Sequence, residues 1–342
     1  MHPGPCALSG LGATILDASG RRLTQDEKAL FREVRPFGFI LFAHNIDSPD
    51  QVRALCADMR EAAGHDAVIT IDQEGGRVQR LRAPQWRDWA APLDQVRQAG
   101  ADAARVMYLR YRLIAAELHA LGVDSNCAPL VDVAGPQTHP FLRNRCYGED
   151  AATVTTLGRA VVDGLLEGGV LPVVKHIPGH GRASADSHHD VPVVKSMKDD
   201  LQDIDFEPFK ALNDLPMAMT AHVVYSDLDA KPATLSPTVL QIIRDEIGFD
   251  GLIMTDDISM KALDGPLPVL TRDALEAGCD VVLHCNGTLA ERRAVAEAAG
   301  EMTGPAQRRA EAALACRKAP ACVDISALSA QFDALTQGQG HG

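Results

Sequence analysis

Eight short apolar runs, spaced along most of the chain, constrain the fold more than any other feature of this sequence. Each run is nearly continuous in hydrophobic residues, which is typical of parallel strands that are buried on both faces. The runs cover residues 12–16, 38–42, 67–71, 126–133, 171–175, 216–222, 251–255 and 279–284.

Amphipathic, helix-favouring segments lie between these runs. They cover residues 48–63, 93–121, 152–167, 197–212 and 236–247. Ser48-Pro49 and Ser236-Pro237 are typical helix starts, with an N-cap serine followed by proline in the first turn. Strand–helix units repeated eight times predict an α/β fold of the (β/α)8 TIM-barrel type.

We expect residues 1–342 to form a single (β/α)8 catalytic domain, with a disordered tail from about residue 337. An open, doubly wound parallel sheet is the alternative architecture. Such a sheet usually carries a glycine-rich phosphate loop after its first strand, and the segment 17–20 is not such a loop.

Charge and cysteine usage narrow the class of protein. The chain has 33 Lys and Arg against 46 Asp and Glu, a formal net charge of −13, and no clustered basic run, so we expect no nucleic-acid partner. No uncharged apolar run approaches the ~20 residues that cross a bilayer, so we expect no membrane partner. The eight cysteines are scattered without a C-x-x-C pair. These features, with an N-terminus unlike a secretory signal, predict a cytoplasmic protein, a monomer or weak homo-oligomer.

Polar residues cluster directly after the predicted strands, where barrel enzymes place their catalytic groups. They are His44-Asn45, Asp72-Gln73-Glu74, Lys175-His176, His222 and Asp256-Asp257.

The two carboxylates that follow the seventh run are the first candidates for chemistry. Side chains alternate along a strand, so if Asp256 faces the barrel axis, Asp257 must point largely elsewhere. A carboxylate at the barrel mouth could serve as nucleophile, base or metal ligand. The alternative is a pair of acids that complement a helix dipole.

The loop at residues 175–192, KHIPGHGRASADSHHDVP, holds four of the twelve histidines. Its proline and glycines exclude the helical spacing that would place His176 and His180 on one face, which disfavours a metal site without removing it. Asp186 and His188 are two residues apart, so a turn could pair them as an acid/base. A solvated, histidine-rich loop without a chemical role is the remaining alternative.

The segment DQEGGRVQRL, residues 72–81, supplies a third group of polar residues. Gly75-Gly76 permits a tight turn after the third strand, which would bring Asp72, Arg77 and Arg80 near the barrel mouth. Carboxylate and guanidinium groups are suitable partners for vicinal hydroxyls. A salt bridge on the barrel rim is the alternative role. Arg145, in NRCYGED, follows the fourth run.

Taken together, six segments resemble glycoside hydrolase family 3, and more closely its bacterial cytoplasmic β-N-acetylhexosaminidases of peptidoglycan recycling. The segments are GFILFAHNI, IDQEGGRVQRL, APLVDV, NRCYGED, KHIPGHGRASADSHHDVP and GFDGLIMTDDISM. The resemblance covers residues from about 10 to 290, in order. Two departures exist: NRCYG stands where NRSFG is usual, and the stretch after Met260 is short, which leaves the helix after the seventh strand open.

The resemblance implies a role for each matching residue. Asp256 corresponds to the nucleophile, and His188, supported by Asp186, to the general acid/base. The sugar-binding positions correspond to Asp72, Arg80, Arg145, Lys175 and His176. Larger family members take the acid from a second domain, whereas we expect a barrel loop to supply it here, because few residues follow 290.

The implied activity is a retaining exo-β-N-acetylglucosaminidase that acts on anhydromuropeptide fragments by double displacement, without a metal or an organic cofactor. A phosphorylase that uses the same site with phosphate in place of water is one alternative. A non-catalytic sugar-binding barrel is another, and a metal-dependent hydrolase is a third.

Overall fold

The computed structural model describes residues 10–183 and 191–337, and eight parallel strands form its centre. The strands are β1 (Gly12–Leu16), β2 (Pro36–Leu41), β3 (Val68–Ile71), β4 (Ser125–Asn126), β5 (Leu171–Ile177), β6 (Met217–Thr220), β7 (Leu252–Met254) and β8 (Val282–His284). They pair as two four-stranded sheets with the orders β8-β1-β2-β3 and β4-β5-β6-β7.

Hydrogen bonds join the two sheets at both of their edges. The Cys127 N–H donates to the Ile71 carbonyl at 2.9 Å, which links β4 to β3. A parallel bridge between Met254 and Val281 links β7 to β8. The eight strands therefore surround one axis as a (β/α)8 TIM-type barrel, which confirms the predicted fold class and removes the open-sheet alternative.

Helices surround the strands. They are α1 (Gln25–Val34), α2 (Pro49–Ala63), α3 (Pro92–Ala99), α4 (Ala103–His119), α5 (Pro140–Arg143), α6 (Ala151–Glu167), α7 (Lys198–Asp200), α8 (Glu207–Ala211), α9 (Pro237–Asp245), α10 (Leu267–Ala277), α11 (Leu289–Ala299), α12 (Gly304–Ala315) and α13 (Ile325–Gln337). Short 3-10 turns occupy Ala43–Asn45, Gly100–Asp102 and Ala233–Leu235.

The predicted helix starts are confirmed. The Ser48 side chain accepts a hydrogen bond from the Gln51 N–H, and Ser236 accepts one from Val239, each satisfying a donor that the first turn leaves unpaired. The stretch after Met260, left open by the sequence, contains α10.

Three predicted boundaries were wrong. The segment 93–121 forms two helices, because the chain turns at Gly100 with a φ of 53°. The segment 197–212 is divided into α7, a π-turn at Leu201–Asp205, and α8. Only the start of the run 126–133 is strand, because Pro129 has no N–H to donate. The chain beyond it still runs beside β5, where the Val131 N–H donates to the Lys175 carbonyl at 2.8 Å.

The strands are the most deeply buried part of the molecule. Every residue of β1, β2, β3, β5 and β6 is buried, as continuous apolar runs predict. Across the described ranges, no helix is both long and apolar enough to cross a membrane. The predicted tail beyond residue 337 lies outside the described residues.

Candidate active site

A cavity of about 320 Å³ opens at the carboxyl ends of the strands. Its size suits a small-molecule ligand. Charged groups on its wall include Asp72, Arg80, Arg145, Lys175, Asp256 and Asp257, and His139, His176 and His180 also line it. Six of the candidate residues thus come together here, namely Asp72, Arg80, Arg145, Lys175, His176 and Asp256. Asp186 and His188 lie outside the described residues.

A chain of alternating charges forms one wall of the cavity. The Lys175 ammonium contacts two carboxylates, Asp72 at 2.8 Å and Glu74 at 2.6 Å. The Arg145 guanidinium donates two hydrogen bonds to Glu74, at 2.9 and 2.8 Å. Arg80 donates to the other oxygen of Asp72 at 3.1 Å. The pairing fixes the long basic side chains in place.

These groups stay charged despite their burial. Burial raises the pKa of Glu74, but Arg145 and Lys175 outweigh it and hold that pKa at about 2. The pKa of Asp72 is likewise lowered, since Lys175 and Arg80 outweigh its burial. The two carboxylates in turn raise the pKa of Lys175. The wall therefore offers fixed donors and acceptors of the kind that bind sugar hydroxyls.

Glu74 supports this wall from behind, and the sequence analysis did not name it among the site residues. It is 1% exposed, and it contacts both Arg145 and Lys175. The signal was present, because Asp72 and Glu74 are two residues apart and side chains of one strand face repeat every second position. The structure places Glu74 behind the residues that reach the cavity.

Removal of Glu74 should lower the stability of the protein strongly. In Glu74→Ala, two buried cations lose a shared carboxylate, and breaking a buried pair costs roughly 3–5 kcal/mol of unfolding free energy. Glu33→Ala is a matched control, because Glu33 pairs with Arg293 on an exposed surface, where such pairs contribute about 0–1 kcal/mol. Denaturant titrations measure both changes. Equal losses in the two variants would contradict the structural role of Glu74.

The two carboxylates that follow β7 have different surroundings. Asp257 accepts hydrogen bonds from the Ser259 N–H at 3.0 Å, the Ser259 hydroxyl at 2.7 Å and the Cys285 N–H at 3.4 Å. Asp256 accepts one from the Asp257 N–H at 2.8 Å. In the described chain, no further hydrogen bond reaches the Asp256 carboxylate, so it is the acid of this pair that is available to a ligand in the cavity.

His222 holds the backbone of the turn that contains Asp256 and Asp257. Its Nε2 lies 3.0 Å from the Asp257 carbonyl oxygen, which can only accept, so Nε2 carries the hydrogen. Its Nδ1 lies 2.7 Å from the Thr234 hydroxyl. Burial lowers the pKa of His222. A neutral ring two residues beyond β6 therefore anchors the backbone beside Asp256.

The structure describes the first part of the histidine-rich loop, residues 175–183, which we call the loop root. Hydrogen bonds hold the loop root in place. The buried Asp132 accepts backbone N–H groups of His176 and His180, at 3.2 and 2.7 Å. The His139 N–H donates to the Ala183 carbonyl at 3.1 Å. The residues that follow in the chain, 184–190, include the Asp186–His188 pair, so this anchored root precedes the predicted acid/base.

The outer rim of the cavity carries arginines that lie on aromatic rings. The Arg77 guanidinium stacks on Phe141, 3.0 Å from the ring centroid, and donates to the Phe141 carbonyl. The Arg80 guanidinium lies 5.2 Å from the Phe42 centroid. A rim salt bridge, the alternative role, is present at Arg80, which pairs with Asp72.

Within residues 10–183 and 191–337, no group of three or more His, Cys, Asp or Glu side chains is arranged to hold a metal ion.

Comparison with known proteins identifies the family of this chain. The sequence pattern described as "Glycosyl hydrolase family 3 N terminal domain" matches residues 13–313. A beta-hexosaminidase of Bordetella avium (strain 197N) is 38% identical over 288 residues, covering 80% of this chain and 81% of the relative. A beta-hexosaminidase of Methylococcus capsulatus (strain ATCC 33009 / NCIMB 11132 / Bath) is 39% identical over 280 residues, covering 80% and 82%.

Solved structures show the same relationship. NagZ from Neisseria gonorrhoeae in complex with N-trifluoroacetyl-D-glucosamine superposes with a TM-score of 0.79 at 28% identity, covering 96% of this chain and 98% of that one. A glycoside hydrolase family 3 beta-N-acetylglucosaminidase from Paenibacillus sp. str. FPU-7 superposes with a TM-score of 0.83 at 28% identity, covering 95% and 67%. The chain therefore belongs to glycosyl hydrolase family 3 and is a glycoside hydrolase.

Proposed function

We propose that the protein is a retaining exo-β-N-acetylglucosaminidase that releases terminal β-linked N-acetylglucosamine. The observation that carries this proposal is the Asp256 carboxylate, which lines the same cavity as the fixed charges and accepts a single hydrogen bond from the described residues. The similarity to beta-hexosaminidases and to a structure holding an N-acylglucosamine analogue supports the choice of sugar.

The proposed reaction is a double displacement. The Asp256 carboxylate attacks the anomeric carbon and forms a covalent ester as the bond to the leaving oxygen breaks. His188, oriented by Asp186, gives its proton to that oxygen. His188 then takes a proton from water, which attacks the same carbon and releases Asp256. The sugar leaves with the configuration it had in the substrate.

Asp72, Arg80, Arg145, Lys175 and His176 hold the sugar in this proposal. Each lines the cavity, and ion pairs with Asp72 or with Glu74 keep the three basic side chains in a fixed arrangement. A fixed arrangement favours binding, because little side-chain freedom is lost when the sugar hydroxyls form their hydrogen bonds.

We further propose that the aglycone is a carboxylate-bearing muropeptide fragment. Arg77 supports this step, because it is an exposed basic residue that lines the cavity at its rim, where its guanidinium lies 3.0 Å from the Phe141 ring centroid. A cation at that position favours a sugar or peptide carboxylate over a neutral group.

Product analysis tests the proposal. Incubation with β-N-acetylglucosaminyl-anhydromuramic acid should release N-acetylglucosamine, and early NMR spectra should show the β-anomer first. Formation of N-acetylglucosamine 1-phosphate in phosphate buffer would instead indicate a phosphorylase.

Arg77→Gln should lower kcat/KM for this substrate by up to about fivefold, the effect of one exposed ion pair. It should leave the methyl ester of the substrate unaffected, and equal losses on both would remove Arg77 from carboxylate recognition.

A further inference from the structure

Asp132 is a buried carboxylate, and each of its two oxygens has a hydrogen-bond partner. It follows β4 and is 0% exposed. One oxygen accepts the backbone N–H groups of His176 and His180, at 3.2 and 2.7 Å. The other oxygen lies 2.8 Å from Nδ1 of the His176 ring. Asp132 thus contacts both the backbone at the end of β5 and a ring that lines the cavity.

The chemistry of these contacts fixes which ring nitrogen of His176 carries a hydrogen. Burial raises the pKa of Asp132, but His176 and the His180 N–H outweigh it, so the net pKa lies below its ordinary value and the group is ionised. An ionised carboxylate can only accept hydrogen bonds. The nitrogen beside it, Nδ1, must therefore be the donor.

The other nitrogen, Nε2, is then the one left for a ligand. The His176 ring lines the cavity, and none of the described residues hydrogen-bonds to Nε2. The His180 ring packs against His176 edge to face at 5.5 Å. Burial lowers the pKa of His180 to about 4, so His180 is neutral and brings no charge to this corner of the cavity.

We propose that Asp132 is a positioning residue that holds a neutral His176 ring as the Nδ1–H tautomer, so that the Nε2 lone pair accepts a hydrogen bond from one hydroxyl of the bound sugar. The subsite is therefore selective for a donor at that sugar position. This inference rests on the proposed function. Asp132 itself does not line the cavity, but it determines whether the His176 ring donates or accepts a hydrogen bond there.

Asp132→Asn tests the proposal because it keeps the shape of the side chain, removes its charge and replaces one acceptor oxygen by a donor nitrogen. The amide oxygen can still accept the two backbone N–H groups, so the loop root keeps its anchor. The amide nitrogen then faces Nδ1 as a donor, which drives the ring hydrogen to Nε2. Replacing the aspartate that orients a histidine by asparagine is known to impose the wrong tautomer in serine proteases. In Asp132→Asn, Nε2 would donate where the sugar hydroxyl needs an acceptor.

The kinetic measurement uses a β-N-acetylglucosaminide and its 3-, 4- and 6-deoxy analogues. Asp132→Asn should lower kcat/KM on the parent roughly 10- to 100-fold, as loss of a buried hydrogen bond does. On the analogue that lacks the contacted hydroxyl, the variant and the wild type should be nearly equal. In a His176→Ala background, Asp132→Asn should have almost no further effect. Equal losses on all four substrates, or a full loss in the His176→Ala background, would show a purely structural role and overturn the proposal.

A second measurement requires neither a folded Asp132→Asn variant nor turnover. Ring ¹⁵N chemical shifts of the ¹⁵N-histidine-labelled wild-type protein report the tautomer of His176, assigned from the signal lost in His176→Gln. The expected pattern is a protonated Nδ1 and a bare Nε2, and a protonated Nε2 would overturn the proposal. If the wild type cleaves no N-acetylglucosaminide while the expected tautomer is observed, the proposed function fails and the assignment of Asp132 stands.

Discussion

Asp256→Ala should abolish turnover of every β-N-acetylglucosaminide while leaving the fold intact. Within residues 10–183 and 191–337, the carboxylate accepts one hydrogen bond, from the neighbouring Asp257 N–H, so its removal breaks few of the described contacts. The covalent ester cannot form without it, and removal of a nucleophile costs on the order of 10⁴–10⁶ in kcat. Initial-rate assays and thermal unfolding of the same preparation measure both expectations.

Asp257→Asn is the matched control. The neighbouring carboxylate holds Ser259 and the Cys285 N–H, so this variant should lose stability yet retain measurable covalent chemistry. A mechanism-based fluorinated sugar that keeps the 2-acetamido group and traps the ester should label a peptide containing Asp256 in the wild type and in Asp257→Asn. A label on a peptide that lacks Asp256 would show the assignment to be wrong.

The barrel could be predicted because its strands are buried on both faces. Each strand therefore had to be a continuous apolar run, and that pattern is visible without knowledge of any contact. The ends of the helices were less predictable. A single glycine, Gly100, divides the segment 93–121, and nothing in the spacing of the apolar residues marks that break.

The candidate site was predictable where function follows strand position. Asp72 directly follows β3, Lys175 lies near the end of β5 and Asp256 lies two residues beyond β7, and the structure brings all three to one cavity. Asp132 and His176 could not be paired in the same way. They are 44 residues apart, and their contact depends on the irregular path of the chain after β4, which local sequence does not specify.

The role of His188 stays a prediction, since it lies outside the described residues, and the dependence of rate on the leaving group can test it. A general acid contributes ~10²–10⁴ in rate, and only where the departing oxygen needs a proton. A sugar hydroxyl needs one, whereas a nitrophenolate does not. His188→Ala should therefore lose most activity on a natural disaccharide yet form the glycosyl-enzyme readily from a nitrophenyl glycoside.

The second step should then limit turnover of the nitrophenyl glycoside, because no base activates water in His188→Ala. Azide needs no deprotonation, so added azide should accelerate that step and yield the β-glycosyl azide. Asp186→Ala should show the same behaviour more weakly, since Asp186 only orients and charges the ring.

His139→Ala is a suitable control, because His139 also lines the cavity but has no proposed part in proton transfer, so azide should leave the rate of this variant unchanged. Equal losses on both substrates, with no response to azide, would exclude His188 as the acid/base. Activity abolished by a chelator and restored by zinc would instead favour a metal-dependent hydrolase.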